Sequence, residues 1–584
     1  MAVTRVWAPQ ARQVLMILEG RPYPMEGAGR GWWFLDSPQA GHGTDYAFVV
    51  DGSDPLPDPR SPWQPSGVHG FSRMLDQGLF PWTDRRWQPP PLSDAVIYEL
   101  HVGTFSGEGS FEGVIGHIGH IIDLGVTHIE LMPVASFSGR HGWGYDGVDL
   151  YAPHEPYGGP QALKTLVNTC HEFGLAVILD VVYNHLGPEG NYLDRFGPYF
   201  TDRYLSPWGR AMNFDGPGSD EVRRFVIDNA LMWLKDYHMD GLRLDAIHAI
   251  VDTSAVHILD QLSREVDILA KRLGRSLFLI AESNLNDPRI VEAREIGGYG
   301  IDAQWSDDFH HAVHAVLTGE GSGYYMDFGS LSDIAKAVTD VFVYDGRYSL
   351  YRQRTYGRPV KELGGERFVS CLQNHDQVGN RAKGERAGML MDKGKLMIAS
   401  ALLFDAPFIP MIFQGEEWDA SSPFLYFTDF EDQDLGRSVS EGRKSEFAAF
   451  GWNPDEIPDP QAESTFELSK LDWEEPYREP HASVLAWYRA LIGLRRSLSD
   501  LKDGDLRGVS AEYDEDEEWI VITRGSIVAA CNISGRERTL PLPDGGERKV
   551  LLSSNGDVAI HEGELTLPGE TVVILKSVQD SFGG

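Results

Sequence analysis

Eight short apolar runs, separated by stretches long enough for a helix, constrain this 584-residue chain more than any other feature. They begin at 95 (AVIYELHVGTF), 125 (GVTHIELMPV), 175 (LAVILDVVYNH), 240 (DGLRLDAI), 277 (LFLIAES), 301 (IDAQWSDD), 368 (FVSCLQNHD) and 408 (FIPMIFQGEEW). Apolar runs alternating with helix-compatible segments are the signature of βα units, whose parallel strands are covered on both faces. Eight such units predict an α/β fold, a (β/α)8 TIM barrel enlarged by insertions. In SDEVRRFVIDNALMWLKDYH, Val222, Phe225, Val226, Ala230 and Trp233 recur at helical spacing, and Ser219 is the expected N-cap.

Both ends of the chain read differently. Residues 1–90 are rich in Gly, Pro and Trp, carry short extended runs (QVLMILE, TDYAFVVD) and finish in the breaker-rich WTDRRWQPPPLSD. An N-terminal β-sandwich, immunoglobulin-like or carbohydrate-binding-module-like, followed by a linker is expected there. Trp7, Trp32 and Trp33 read as its core rather than as a sugar platform. Residues 496–584 turn extended again (EEWIVITRG, SIVAACNIS, ETVVILKSV), which predicts a C-terminal β-sandwich and leaves 91–495 to the barrel.

Charge narrows the partners. Lys and Arg number 51 against 87 Asp and Glu, a net −36 whose field repels phosphate backbones and anionic headgroups, so neither nucleic acid nor a membrane is an expected partner. No run reaches the roughly 18 apolar residues of a membrane span. The start, MAVTRVWAPQARQVLMILEG, lacks the basic and apolar regions of a secretory signal. Cys170, Cys371 and Cys531 fit neither a disulfide framework nor metal-ligand spacing, so a cytoplasmic protein with reduced thiols is expected.

In a (β/α)8 barrel, chemistry sits at the C-terminal ends of the strands. Here the third run ends in Asp180 to His185, the fourth in Arg243 and Asp245, the fifth in Glu282, the sixth in Asp307 and Asp308, and the seventh in Asn374, His375 and Asp376. Arg243 and Asp245, two apart, share one strand face. A register-setting ion pair explains two of these residues; five polar strand ends on one rim point to an active site. Neighbouring carboxylates suit glycosidic cleavage, in which one attacks the anomeric carbon and another protonates the leaving oxygen. The cation beside Asp245 favours its ionised form and the role of nucleophile. Glu282 follows the apolar FLIA with no cation next to it in sequence, a setting that raises a carboxyl pKa and suits the acid.

DVVYNH (180–185), GLRLDAIH (241–248), AES around Glu282 and LQNHDQVGN (372–380) resemble, in order, the four signature regions of the α-amylase superfamily, glycoside hydrolase family 13, of retaining α-glucan enzymes. The resemblance implies that Asp245 is the nucleophile, Glu282 the general acid/base and Asp376 the transition-state stabiliser. It implies sugar contacts from Arg243, His185 and His375, and a stacking aromatic in Tyr145 of GWGYDG, although Tyr145 and Trp143 also read as a packed loop. WSDDFHHAVH, NHDQVGNRAKGER, FTDFEDQDLGRSVSEGRKSEFAAFGW (427–452) and IPDPQAESTFELSKLDW (457–473) resemble the superfamily's trehalose-releasing branch. That branch hydrolyses the α-1,4 bond next to the terminal trehalose of maltooligosyl trehalose, after a synthase has made the α,α-1,1 end.

The same resemblance implies that His248, Asp307, Asp308, His310, Asn374, Gln377, Asn380 and Arg381 help line a substrate cleft, while DDFHH reads equally as a helix cap. Asn184 falls where calcium-dependent amylases often place a ligand, but the further oxygen ligands that calcium needs are not seen in the sequence, and neither metal nor other cofactor is expected. Two alternatives stay open: a glucan branching or debranching enzyme, and a catalytically silent glucan-binding protein. The segment after the eighth run weighs against the first, and the three intact carboxylates weigh against the second.

Overall fold

Each of the eight runs contains a strand, and the eight close into one parallel barrel. The strands are β1 (Ile97–Leu100), β2 (His128–Leu131), β3 (Ala176–Val181), β4 (Gly241–Leu244), β5 (Phe278–Ala281), β6 (Ala303–Trp305), β7 (Phe368–Cys371) and β8 (Ile409–Phe413). They come from a computed structural model that describes residues 2–206, 208–449, 453, 456–543, 547–556, 558–561 and 563–578. The last three residues of the 427–452 segment, 450–452, lie outside the described residues. β8 pairs with β1, with Met411 opposite Ile97, which removes every free edge. Side chains fill the interior, among them Ile97, Ile178, Phe278, Ile280, Val369 and Met411. A Cβ at Gly241 would lie 2.1 Å from the Phe278 ring, so only glycine fits that layer.

Helices cover the outside. They include α1 (Gly159–Glu172), α2 (Ser219–Asp236), α3 (Ile258–Leu273), α4 (Asp307–Thr318), α5 (Gln433–Ala449) and α6 (His481–Ser497). The predicted stripe Val222, Phe225, Val226, Ala230 and Trp233 of α2 is buried. Its cap differs from expectation: Ser219 is the first helical residue and Gly218 is the N-cap, at φ 84°. The chain enters the helix through a left-handed residue, which glycine adopts without steric cost.

Antiparallel sheets lie at both ends of the chain. Near the N-terminus a three-stranded sheet (Ala2–Trp7, Trp32–Ser37, Glu26–Gly29) accompanies a four-stranded one built on Val14–Leu18 and Asp45–Val50. Trp7 is buried and meets Tyr199 edge-on, 5.4 Å between ring centres, while Trp32 and Trp33 are half-buried against the core. At the C-terminal end a five-stranded and a three-stranded sheet enclose Val521, Val528, Leu540, Leu565 and Leu575. Cys170, Cys371 and Cys531 are buried and unpaired with one another. Among the described residues no helix is long and apolar enough to cross a membrane.

A clasp ties the segment after the N-terminal sheets to the base of the barrel. His171 of α1 bridges Asp84 at 2.8 Å and Asp240 at 3.0 Å, and His238 reaches Asp84 at 2.8 Å. Trp82 stacks on His238 and Trp87 on His171, with ring centres 3.8 and 4.5 Å apart. Trp87 donates its indole N–H to Asp240.

Candidate active site

Parallel register places Asp180 of β3 directly beside Arg243 of β4. Arg243 is fully buried over the Trp305 ring, 4.2 Å from its centre. Its Nη1 donates to Asp180 Oδ2 at 2.7 Å and Asp245 Oδ1 at 2.9 Å, and its Nη2 to Glu282 Oε2 at 3.0 Å. One guanidinium thus holds three acids. The other oxygen of Asp245 accepts from Asn184 Nδ2 at 2.7 Å, and the same amide donates to the Asp245 carbonyl at 2.8 Å. The rotamer of Asp245 is fixed from both sides.

The chain then leaves β4 through Ala246, whose φ of 38° and ψ of 50° put a side-chain-bearing residue in the left-handed region. Such residues store strain of order 1–3 kcal/mol and cluster at functional sites. Here the turn aims the Ala246 N–H at Glu282 Oε2, 2.6 Å away, and the Ile247 N–H reaches the Glu282 carbonyl at 3.1 Å.

Sequence separation hid one feature of Glu282. No cation neighbours it in the chain, yet Arg243 touches it. Burial pushes its carboxyl up strongly, Arg243 draws it down, and the charges of Asp245 and Asp376 push it up again, leaving it at about 8. Asp180 is likewise pushed up to about 6, by burial first, against the pull of Arg243. At neutral pH Glu282 holds a proton beside an Arg243-paired Asp245.

The end of β7 supplies the opposite wall. His375 is buried; its backbone N–H donates to Glu99 Oε2 at 2.9 Å and its Nδ1 lies 2.6 Å from Glu99 Oε1. Its Nε2 lies 2.8 Å from the Tyr145 hydroxyl, which donates to Asp180 Oδ2 at 2.5 Å. The two rings stack, with centres 5.0 Å apart. Burial works against the imidazolium, but Asp376 and Glu99 overcome it and lift His375 to about 9. With both ring nitrogens protonated, His375 donates to Glu99 and to Tyr145. Asp376 is partly exposed, its Oδ2 3.5 Å from His375 Nε2 and its Oδ1 accepting from Asn380 Nδ2 at 3.0 Å.

Asp245, Glu282 and Asp376 face one hollow of about 500 Å³, together with Tyr145, His185, His248, His375, Asn380 and Trp143. Sequence reasoning missed Trp208, which lines the same hollow and stacks on His185 at 4.6 Å, and also Asn284, Tyr426, Arg443 and Glu446. Trp208 sits at the turn between strands Phe200–Ser206 and Gly209–Met212, and Arg443 and Glu446 on α5. A larger groove of about 1120 Å³ beside Lys502–Val509 shares no residue with this hollow.

Several expected cleft residues are not brought to its surface. Asp308 Oδ2 accepts from Asn286 Nδ2 and from the N–H groups of Val343 and Tyr344, at 2.9, 2.7 and 2.9 Å, which orders the loop behind α4. His310 is buried between the Leu372 carbonyl and the Tyr325 hydroxyl. Asn374 caps the short helix His375–Gly379 by accepting the Gln377 N–H at 2.8 Å. Arg381 grips Glu320 with two bonds of 3.0 and 2.8 Å. Gln377 is half-buried, and so is Asp307, whose carboxyl burial pushes up to about 7. Among the described residues no three His, Cys, Asp or Glu side chains gather to hold a metal.

A protonated carboxyl and a paired carboxylate facing one hollow beside aromatic rings are the groups that acid-assisted displacement at a sugar carbon requires. Comparison with known proteins points the same way. The catalytic-domain family described as alpha amylase matches residues 85–204, and a domain of unknown function matches 504–574. The malto-oligosyltrehalose trehalohydrolase of Arthrobacter ramosus is 48% identical over 576 residues, covering 98% of this chain and 99% of the relative. That of Saccharolobus solfataricus is 49% identical over 492 residues, 84% of each. A crystal structure of a Salmonella typhimurium protein assigned as an alpha amylase superposes with a TM-score of 0.90 at 37% identity, covering 98% of this chain and 97% of that one.

Proposed function

The chain belongs to the malto-oligosyltrehalose trehalohydrolase family, and from that membership we propose that it hydrolyses the α-1,4 bond next to the terminal trehalose of maltooligosyl trehalose, releasing trehalose and a maltooligosaccharide. Asp245 attacks the anomeric carbon while Glu282, protonated up to a pH of about 8, gives its proton to the leaving oxygen. Glu282 then takes a proton from the water that hydrolyses the glycosyl ester. Asp376 grips ring hydroxyls as charge develops, and His185, His248 and Tyr145 hold the cleaved sugar, while Arg243, buried behind them, orients Asp245 and Glu282. Asn380 lines the cleft, with Asp307, Asp308, His310, Asn374, Gln377 and Arg381 supporting it from behind.

The observation that carries this reading is the single guanidinium of Arg243 joining Asp245 to Glu282 at one hollow that Asp376 also faces. The substrate comes from a synthase that makes the α,α-1,1 end. Three buried, unpaired thiols fit a cytoplasmic setting. We divide the chain near residues 90 and 495, with the barrel between.

A digest of maltotriosyl trehalose beside maltopentaose, with products identified, tests the proposal. Trehalose plus maltotriose should appear from the first substrate far faster than any product from the second. Faster debranching of amylopectin, or equal cleavage of the two oligosaccharides, would refute it.

A further inference from the structure

We propose that Glu99, inside strand β1, is a positioning residue of the reaction, which holds His375 in the orientation and protonation state from which it orders Tyr145, Asp180 and Asp376. The proposal rests on the reading of the site given above.

Glu99 is 1% exposed and belongs to IYEL, a strand whose four residues are all buried. A carboxylate there costs several kcal/mol unless it is paired and hydrogen-bonded. Both its oxygens are spent on His375 alone, one on the backbone N–H and one on Nδ1. A two-point grip of this kind fixes the ring plane and the backbone at β7's end together. It also sets the direction of the bonds that follow: with Nδ1–H held by Glu99, the protonated Nε2 donates to the Tyr145 hydroxyl, and the hydroxyl proton is left for Asp180. The path continues through Asp180 to Arg243, and so to Asp245 and Glu282.

The other groups that face His375 show why Glu99 matters. From β4, Arg243 opposes its positive charge; from the following residue, Asp376 supports it, within 3.5 Å of Nε2. Glu130 of β2 and His101, just after β1, sense the same charge from further away. Tyr145 and Trp143 pack on the ring, and Trp305 lies beyond it. Asp376 is partly exposed and, in the proposed reaction, turns to the sugar when substrate binds. Glu99 is then the anion that stays with His375 throughout the cycle.

The test is Glu99→Gln, nearly equal in shape but neutral, assayed on whichever oligosaccharide the unaltered protein cleaves, so that failure of the substrate assignment and failure of this proposal separate. The loss should be about 10- to 100-fold, the scale found for carboxylates that orient metal-bound histidines, and should fall on kcat more than on KM. Without the Glu99 charge His375 should lose its proton below the Glu282 limb at about 8, so the alkaline fall in kcat/KM should begin at a lower pH than in the unaltered protein. A double variant with His375→Gln should be no slower than His375→Gln alone, because Glu99 acts through His375. If Glu99→Gln does not fold, Glu99→Asp keeps the charge and should lose rate with the alkaline limb in place. Full activity in Glu99→Gln, an unmoved limb in it, a shifted limb in Glu99→Asp, or additive losses in the double variant would overturn the assignment.

Discussion

Two buried networks of charge sit at opposite ends of the barrel, and they differ in their arithmetic. At the base, His171 stands between Asp84 and Asp240, and His238 gives Asp84 a second partner. Burial pushes the Asp84 carboxyl up, but the two histidines outweigh it and hold it well below the usual range. Burial also opposes the charged form of His171, and its two acids reverse that and raise it. At the rim, one Arg243 serves Asp180, Asp245 and Glu282, and burial, with the charge of neighbouring acids added to it, outweighs that one cation and pushes the carboxyls up to about 6 at Asp180 and about 8 at Glu282. Where cations answer acids a network fixes structure; where acids outnumber cations one is left holding a proton that it can deliver.

Breaking each network should therefore do different damage. The largest expected effect is at Asp245: Asp245→Asn should cut kcat by about ten-thousand-fold or more, because the nucleophile acts with its partners as a unit. Calorimetry should still register oligosaccharide binding by this variant, and turnover near the unaltered rate would remove Asp245 from the role. Next comes Glu282→Gln, expected to cost about 10²- to 10⁴-fold as general acid catalysis is lost. The acid works only while protonated, so kcat/KM of the unaltered protein should fall as pH rises through about 8, and in the residual activity of Glu282→Gln the fall should move up to about 9, where His375 loses its proton. Persistence of the fall at about 8 would assign it to another group. At the base, Asp240→Ala should lower stability by about 3–5 kcal/mol, the cost of leaving a buried partner unpaired, while kcat/KM at 25 °C stays unchanged. Denaturant midpoints set against rates would show whether the two networks are as separate as their positions suggest.

The barrel was legible because a parallel strand covered on both faces is largely apolar, and the strand in each of the eight runs carries at most two polar residues. Asp245 and Glu282 were legible because each follows directly on such a run. Glu99 and Glu130 escaped notice although both sit inside runs, IYEL and HIEL, where a lone carboxylate is itself a signal. The contact between Arg243 and Glu282 spans 39 residues and depends on adjacent strands, so local sequence could not reveal it. Trp208 comes to His185 on a hairpin whose own pattern says nothing about where it folds. In DDFHH the choice between cleft and cap is a matter of direction: Asp308 turns inward to bind the N–H groups of Val343 and Tyr344, and composition does not encode a turn of that kind.

Arg243's threefold grip also sets a clock. In the double-displacement route proposed above, esterification of Asp245 removes its negative charge, and with it one of the influences that keep the Glu282 proton in place. The guanidinium then has one anion fewer to satisfy and pulls harder on those that remain. Glu282, having just surrendered its proton to the departing sugar, finds its surroundings suddenly more hospitable to negative charge and is ready to accept a proton from water. Donor becomes acceptor with no atom needing to travel, because the ledger of charge around a single arginine has changed by one.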